Sequence, residues 1–295
     1  MPLHREQIRL LAVEDIPLVE RLLRTSEYIY QRFTLEELPL LLERYPAVGL
    51  FHGATLQGFL LSQVVDSSIA WIGGFGVSWG ESRAYLSILQ ALLEHLCDAL
   101  RECGVSDLHY SGNDAAYDWL RSILLTRGFA PYRSLFSYDK FDYRVPTSGN
   151  QAVTIRPVNL VETVQGQGDM AALLAIDEQC FEALWRYDRL AFIDIANTHP
   201  YFVVAELRGE VIGYQFNALD GNFGYLVRIA VQPTCNSQGI GARLMAEAIQ
   251  FFAQNQVARI MLNTQEDNVH AHRLYEWFGF TRLQQMGFVL RRGLS

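Results

Sequence analysis

Apolar residues recur along this chain with two periods, one typical of helices and one typical of strands. The clearest helical pattern covers residues 83–102, where leucines repeat every three or four positions: Leu86, Leu89, Leu92, Leu93, Leu96 and Leu100. Short apolar runs of strand length lie before and after this segment. Strands interleaved with helices predict an α/β fold with a mixed sheet.

The same order of elements occurs twice, which indicates a long internal repeat. In the first half the pattern predicts strands at 8–13, 48–51, 58–65, 69–77, 107–110 and 131–141, and helices at 16–24, 35–44, 83–102 and 115–125. In the second half it predicts strands at 153–158, 201–207, 210–217, 225–231, 259–263 and 282–290, and helices at 170–181, 189–197, 239–253 and 269–278. Turn-forming residues between them predict domains at 1–145 and 152–295, joined by a linker at 146–151.

Length and composition agree with two soluble globular domains. The chain has 295 residues, half of them apolar and 19% charged, and domains commonly span roughly 100–200 residues. No apolar run reaches the roughly 18 residues of a membrane helix, and no secretory signal is visible. We therefore expect a cytoplasmic protein with no membrane partner. The net charge of −8, without a basic face, argues against a nucleic-acid partner.

The four cysteines form no recognisable metal or disulfide pattern. Cys97, Cys103, Cys180 and Cys235 include no C-x-x-C pair and no cluster with histidine, so we expect no metal. Cys97 and Cys103 fall within an amphipathic segment and are interpreted as small core residues. A catalytic thiol would need a neighbouring base, which the sequence does not place.

The most informative local pattern is IAVQPTCNSQGIGARL, at residues 229–244. An apolar strand ends at Pro233, a polar turn follows, and Gly239 and Gly241 precede an apolar-periodic helix. Glycines let backbone N–H groups approach phosphate oxygens at a helix N-terminus, which carries partial positive charge. An ordinary strand-to-helix turn would explain Gly-x-Gly alone equally well. A Rossmann site is disfavoured because the third glycine is missing and the strand comes late in its domain.

A second motif, NVHAHRLYEWFGF, follows at residues 268–280. Together the two motifs resemble those of the GCN5-related N-acetyltransferase (GNAT) superfamily, from about residue 153 to the C-terminus. Within it, this half is similar to bacterial ribosomal-protein alanine acetyltransferases, with Ile176-Asp177-Glu178 and Phe181 preceding Trp185. The resemblance implies two tandem acyl-CoA N-acyltransferase (GNAT) folds, the first degenerate, and acetyl-CoA as co-substrate.

The resemblance also implies a set of site residues. Strand residues Ile229, Ala230 and Val231 would flank the thioester and pantetheine, beside a splay between neighbouring strands. The pyrophosphate would be held by the loop residues Ser237, Gln238, Gly239, Ile240, Gly241 and Ala242, with Arg243 as a charged contact. Asn268 would bind the pantetheine arm, or would only cap its helix. Tyr275 would protonate the departing thiolate, or would be a buried aromatic residue.

The sequence departs from the family where a catalytic glutamate often stands, because Tyr225 and Asn263 occupy those two positions. Asn236 likewise replaces the Arg or Gln that usually opens the phosphate loop. The general base therefore stays open among four carboxylates: Glu178, Asp188, Glu266 and Asp267. Alternatively no dedicated base is needed, since holding the amine and the thioester in attack geometry supplies much of the acceleration.

The first half resembles a degenerate copy of the same domain. Its segment FGVSWGESRA, at residues 75–84, lacks paired glycines before the helix, and Glu81 would place negative charge where phosphate binds. Leu120 stands where the second motif has Tyr275. We therefore expect the first domain to be non-catalytic.

Three functions follow from this sequence. The first is an N-acetyltransferase that moves acetyl from acetyl-CoA to a primary amine, on a small molecule or a peptide N-terminus, as a monomer or homodimer. The second is a non-catalytic acyl-CoA-binding sensor, which the vacant glutamate positions favour and Tyr275 disfavours. The third, a structural module, is disfavoured because packing alone does not call for the phosphate loop.

Overall fold

The computed structural model describes residues 6–26, 28–78, 84–161 and 168–294. The chain divides into two compact units: unit 1 is Met1–Arg133 with Phe288–Ser295, and unit 2 is Ser134–Gly287. Each unit contains a mixed sheet with helices packed on it, so the predicted α/β fold is confirmed. Over the described part of the chain, no helix is long and apolar enough to cross a membrane.

The element order follows the internal repeat. The first half contains β1 (Glu6–Leu10), α1 (Ile16–Thr25), β2 (Ile29–Gln31), α2 (Leu38–Arg44), β3 (Ala47–His52), β4 (Thr55–Asp66), β5 (Ile69–Val77), α3 (Tyr85–Glu102), β6 (Asp107–Gly112), α4 (Trp119–Leu125) and β7 (Ala130–Lys140). The second half contains β8 (Thr154–Pro157), α5 (Met170–Cys180), α6 (Arg189–Thr198), β9 (Tyr201–Leu207), β10 (Glu210–Asp220), β11 (Phe223–Val231), α7 (Ile240–Gln254), β12 (Arg259–Gln265), α8 (Val269–Trp277) and β13 (Thr281–Gly293).

Each unit takes its last strand from the other half of the sequence. In unit 1 the antiparallel order is β1, β3, β4, β5; β6 joins β5 in parallel, and the end of β13 pairs with β6 at Leu290 and Tyr110. In unit 2 the order is β8, β9, β10, β11; β12 joins β11 in parallel, and β7 pairs with β12 at Tyr138 and Leu262. Periodicity predicted both exchanged strands but gave no information on the strands with which they pair. The division predicted at 146–151 assigns β7 to the first domain and β13 to the second, whereas β7 from Ser134 onward belongs to unit 2 and β13 from Phe288 onward belongs to unit 1.

Several predicted bounds need correction. The first strand begins and ends earlier than 8–13, and the helix predicted from residue 115 begins at Trp119, because Asp118 caps it by accepting from the Arg121 N–H at 2.7 Å. The short strand β2 was missed altogether. Cys97 is buried as expected, whereas Cys103 is exposed.

One long helix in each unit carries much of the core. In α3 the apolar stripe at Leu89, Leu92, Leu93, Leu96 and Leu100 is almost fully buried, while Leu86 is exposed. The corresponding helix α7 buries Leu244, Met245, Ala248, Ile249 and Phe252. Full burial of each large apolar side chain contributes about 1.5–3 kcal/mol, so both helices are held by their packed faces.

The repeat extends to a pair of partly buried ion pairs, in which the carboxylate is buried and the arginine is partly exposed. In unit 1 the Arg9 guanidinium donates two hydrogen bonds of 2.7 Å to Asp15, which also accepts from the backbone N–H of Ala12. In unit 2 Arg156 donates to Asp169 at 2.7 and 2.8 Å. Each pair ties the first strand of its unit to the N-terminus of the next long helix, which a bidentate charged contact does with defined geometry.

Candidate active site

The strands β11 and β12 separate within the sheet of unit 2. Their parallel pairing covers residues 223–225 against 259–261 and stops there, although β11 continues to Val231 and β12 to Gln265. On their other edges β11 stays paired with β10, and β12 with β7. The splay expected from the sequence is therefore present.

A β-bulge accompanies this separation. Phe216 of β10 faces Arg228, and the next residue, Asn217, faces Leu226, so Val227 is an extra residue on β11. A bulge bends its strand and increases the local twist. We attribute the divergence of β11 from β12 to this bend.

The alternation of backbone groups identifies which residues of β11 face the splay. The Gln232 N–H donates to the Ile212 carbonyl at 2.8 Å, on the β10 side. Since backbone polar groups alternate between the two edges of an antiparallel strand, those of Ile229 and Val231 point to the opposite edge. No described strand pairs with that edge, and the Val231 carbonyl accepts from the Cys180 thiol at 3.2 Å.

The loop after β11 has the backbone of an anion-binding turn. Ser237 and Gly239 both have left-handed φ values, 62° and 75°, and Gly239 is the N-cap of α7. The Arg243 N–H makes the first bond of the helix, to the Gly239 carbonyl at 3.0 Å. The N–H groups of residues 239–242 make no hydrogen bond to any described residue, so they are open to an acceptor.

The space beside this loop is open at Gly241. A Cβ atom built there would meet only the side chains of Leu274 at 3.5 Å and Val231 at 4.0 Å. The predicted charged contact, Arg243, is directed elsewhere, since its guanidinium pairs with Glu247 at 3.0 Å. Glu247 also accepts from the Tyr201 hydroxyl at 2.8 Å. The loop therefore presents backbone amides, with the nearest arginine already paired.

Asn268 and Tyr275 lie on α8. Asn268 is its N-cap and accepts from the Ala271 N–H at 3.1 Å, so the capping role is confirmed, and the amide nitrogen of its side chain stays available as a donor. Tyr275 is 5% exposed and packs edge-on against Tyr138. Burial, with Tyr138 nearby, raises the pKa of Tyr275 far above its usual value.

The hydroxyl of Tyr275 makes no hydrogen bond to a described residue. Both ring nitrogens of the neighbouring His272 already have hydrogen-bond partners, because they lie 2.8 Å from the Tyr138 hydroxyl and 3.0 Å from the Glu266 carbonyl. His270 is exposed.

The four carboxylates considered as bases lie on the surface of unit 2. Asp188 caps α6 by accepting from the Ala191 N–H at 2.8 Å, and Glu178 is 72% exposed. Glu266 and Asp267 are also exposed. The structure therefore singles out none of them as a buried base. Burial raises the pKa of the Cys180 thiol to about 11, which disfavours the thiolate form that a nucleophile needs.

A buried ion pair beside the splay was missed from the sequence. Asp177 of α5 is 1% exposed and accepts from Arg228 of β11 at 2.5 Å, from the Tyr214 hydroxyl, and from the Tyr187 N–H at 2.7 Å. The sequence feature that could have predicted this pair is a carboxylate among the apolar positions of α5, next to the buried Ile176. An acid there requires a buried partner.

Arg228 also organises the loop between α5 and α6. Its guanidinium lies 3.9 Å from the ring centres of both Phe181 and Tyr187, and its second nitrogen donates to the Trp185 carbonyl at 2.5 Å. Such stacking and hydrogen bonding use the planar shape of arginine. The loop that precedes α6 is thus fixed to the strand residue next to Ile229.

Unit 1 contains the same splay, but there the strand β2 pairs with the edge that has no described strand partner in unit 2. Parallel pairing of β5 and β6 covers 69–71 against 107–109 and then stops. Beyond that point β2 pairs with β5, with Tyr30 opposite Phe75, and the Tyr30 hydroxyl donates to the Ser111 carbonyl of β6 at 3.0 Å. Val77 donates its N–H to the Ser26 hydroxyl at 3.2 Å.

The two units can be matched position by position. Phe75 and Val77 lie four and six residues beyond the last parallel pair, as Ile229 and Val231 do in unit 2. The backbone groups of Ile229 have no strand partner among the described residues, whereas those of the matching residue Phe75 pair with β2. Leu120, in place of a tyrosine, is fully buried. The predicted role of Glu81 falls outside the described residues.

Splayed parallel strands beside a glycine-led helix N-terminus define the GNAT fold class, and both units have the splay. Residues 170–280 match the acetyltransferase (GNAT) family. An uncharacterized N-acetyltransferase of Methanocaldococcus jannaschii is 27% identical over 114 residues, 38% of this chain and 72% of the relative. A putative ribosomal protein bS18 alanine N-acetyltransferase of Bacillus subtilis is 23% identical over 111 residues, 38% of this chain and 74% of the relative.

The fold of the whole chain is also similar to a solved structure with two such domains. A tandem GNAT protein from the clavulanic acid biosynthesis pathway aligns with a TM-score of 0.70 and 12% identity, covering 99% of both chains. Residues 170–280 thus match the GNAT family, and the chain as a whole has the fold of two tandem GNAT domains.

Proposed function

We propose that residues 152–295 form a working N-acetyltransferase domain and that residues 1–145 form a non-catalytic one. The enzyme would move an acetyl group from acetyl-CoA to a primary amine, on a small molecule or a peptide N-terminus. One observation carries the proposal: in unit 2 no described strand pairs with the edge of β11 at Ile229 and Val231, and the amides of residues 239–242 next to it have no described partner.

The residues present fit acetyl-CoA. Backbone amides of 237–242 would hold the pyrophosphate at the N-terminus of α7, where the helix dipole favours an anion. Ile229, Ala230 and Val231 would border the pantetheine arm and the thioester, and the Asn268 side-chain amide would donate to the arm. Arg243 would serve as an outer contact, exchanging Glu247 for a phosphate.

The acyl thioester supplies an electrophilic carbonyl for attack by a neutral amine. The C–N bond forms as the C–S bond breaks, and the amine loses a proton to solvent, directly or through a surface carboxylate. A phenol is protonated at neutral pH, and burial raises the pKa of Tyr275 further. Its hydroxyl would donate to the sulfur as negative charge develops and supply the proton that makes coenzyme A leave as a thiol. Solvent, which takes the proton from the amine, would return one to the tyrosinate.

The acceptor would approach over the loop between α5 and α6. Arg228 anchors that loop through Asp177 and the Trp185 carbonyl, so the loop is held in one arrangement before an acceptor arrives. The similarity to a putative bS18 alanine acetyltransferase favours testing peptide N-termini first. Small amines form the second panel.

Calorimetric titration of acetyl-CoA tests the site. Wild-type protein should bind, and the variant Gly239→Asp plus Gly241→Asp should not, because two carboxylates would repel the pyrophosphate. Gly293→Asp is a matched control, since it adds a carboxylate in unit 1 where nothing lies within 4 Å. Absence of binding to the wild type would refute the transferase and the sensor together.

A further inference from the structure

The segment before β8 lies directly against the first turn of α7. Gly149 has a left-handed φ of 72°, and a Cβ atom at this position would fall 2.2 Å from the Arg243 backbone nitrogen and 2.5 Å from its Cα. Only glycine allows so close an approach. The predicted linker therefore packs on the helix that carries the phosphate loop.

Asn150 binds this loop through both its backbone and its side chain. Its side-chain nitrogen donates to the Gln238 carbonyl at 2.9 Å, and its backbone N–H donates to the Gly239 carbonyl at 3.1 Å. Its side-chain oxygen accepts from the Ala152 N–H at 2.9 Å. The residue is thus held in place by its own segment while it holds two successive carbonyls of the loop.

The direction of these carbonyls determines the direction of the neighbouring amides. In a trans peptide the C=O of one residue and the N–H of the next point in opposite directions. Tying the carbonyls of Gln238 and Gly239 to Asn150 therefore turns the N–H groups of Gly239 and Ile240 away from the linker. Those N–H groups are two of the four that have no partner among the described residues.

We propose that Asn150, seated by Gly149, is a positioning residue that orients the phosphate-loop amides toward the pyrophosphate of coenzyme A. This rests on the proposed function of unit 2. The loop residue before the N-cap, Ser237, already has an unusual left-handed backbone, which needs support from its surroundings to persist. The linker supplies that support, and it removes part of the ordering that ligand binding would otherwise require.

The test compares two ligands on two variants. Asn150→Ala removes the side-chain hydrogen bond to the Gln238 carbonyl, together with the one accepted from the Ala152 N–H within its own segment. Asn255→Ala is the matched control, because its side chain donates to the Phe251 carbonyl at 2.9 Å at the other end of α7. Dissociation constants would be measured by calorimetry for coenzyme A and by ligand-observed NMR for pantetheine, which lacks the pyrophosphate. Asn150→Ala should weaken coenzyme A about three- to tenfold, the loss expected for one hydrogen bond, and leave pantetheine unchanged.

The outcomes separate this inference from the proposed function. Unchanged affinity of Asn150→Ala for coenzyme A, with normal wild-type binding, overturns the positioning role alone, and so does an equal loss for both ligands. Failure of the wild type to bind coenzyme A overturns the proposed function. A second variant, Gly149→Ala, forces the linker off Arg243, so it should weaken coenzyme A more than Asn150→Ala does and spare pantetheine.

Discussion

Arg228 and Asp177 form a buried ion pair that joins the strand beside the splay to the first helix of unit 2. Their side chains are 9% and 2% exposed, and the shortest nitrogen–oxygen distance is 2.5 Å. The pair also fixes the loop between α5 and α6 through Trp185 and Tyr187. The stability of unit 2 and the arrangement of this loop therefore depend on the same contact.

Asp177→Ala should destabilise unit 2 by about 3–5 kcal/mol, because it leaves the Arg228 guanidinium buried without its carboxylate. Urea unfolding measures this loss. Glu178→Ala, on the same helix but exposed, should change stability by less than about 0.5 kcal/mol. The double variant Asp177→Ala plus Arg228→Met should recover part of the loss, since no charge is then unpaired. If the loss of the double variant equals the sum of the losses of Asp177→Ala and Arg228→Met measured singly, the two residues are not coupled.

Tyr30 of β2 occupies the edge of β5 that would have to be free for a second ligand. We therefore expect one acetyl-CoA per chain in equilibrium dialysis, and none for Gly241→Asp. Hydrogen exchange gives an independent check: the Phe75 amide should exchange slowly with or without ligand, and the Ile229 amide should slow only when ligand is added. Two equivalents bound per chain would contradict this reading of unit 1.

Tyr275→Phe separates an enzyme from a sensor. It should lower kcat by about 10²-fold, a typical loss for a proton donor, while the dissociation constant for acetyl-CoA stays unchanged. Tyr143→Phe is the matched control, because that hydroxyl only donates to the Val257 carbonyl. The sensor would be favoured if the wild type and Tyr275→Phe both bind acetyl-CoA and neither acetylates peptide N-termini or small amines.

The order of elements could be predicted from the sequence because helix and strand periods are local properties. The phosphate loop was equally accessible, since glycine, turn residues and a following helix are adjacent in the chain. A helix cap at Asn268 was one of the two roles that the sequence allowed, and the structure shows the cap. The roles of these residues in ligand binding stay predictions.

Contacts between distant segments were not accessible in this way. Asp177 and Arg228 are 51 positions apart, and the sequence around either residue does not indicate that the other is its partner. The strand β2 has three residues, too few to show alternation, and the exchange of β7 and β13 leaves their own apolar patterns unchanged. Periodicity identifies an element and its buried face, whereas its partner depends on the packing of the whole unit.

The decrease in the free energy of unfolding at low pH should depend on the Arg156–Asp169 pair. Burial alone would raise the pKa of Asp169, but hydrogen bonds from Arg156 and from the Asn159 N–H outweigh it and lower that pKa below its usual value. A lowered carboxylate pKa stabilises the fold above the unfolded value of about 3.9, and the stabilisation is lost as pH falls through the folded value. Asp169→Asn should therefore cost about 1.5–3 kcal/mol at pH 7 in urea unfolding. The gap to wild type should begin to narrow below about pH 4 and should close only below the folded pKa of Asp169. A gap that stays constant down to pH 3 would show that the charge of Asp169 is not what stabilises unit 2.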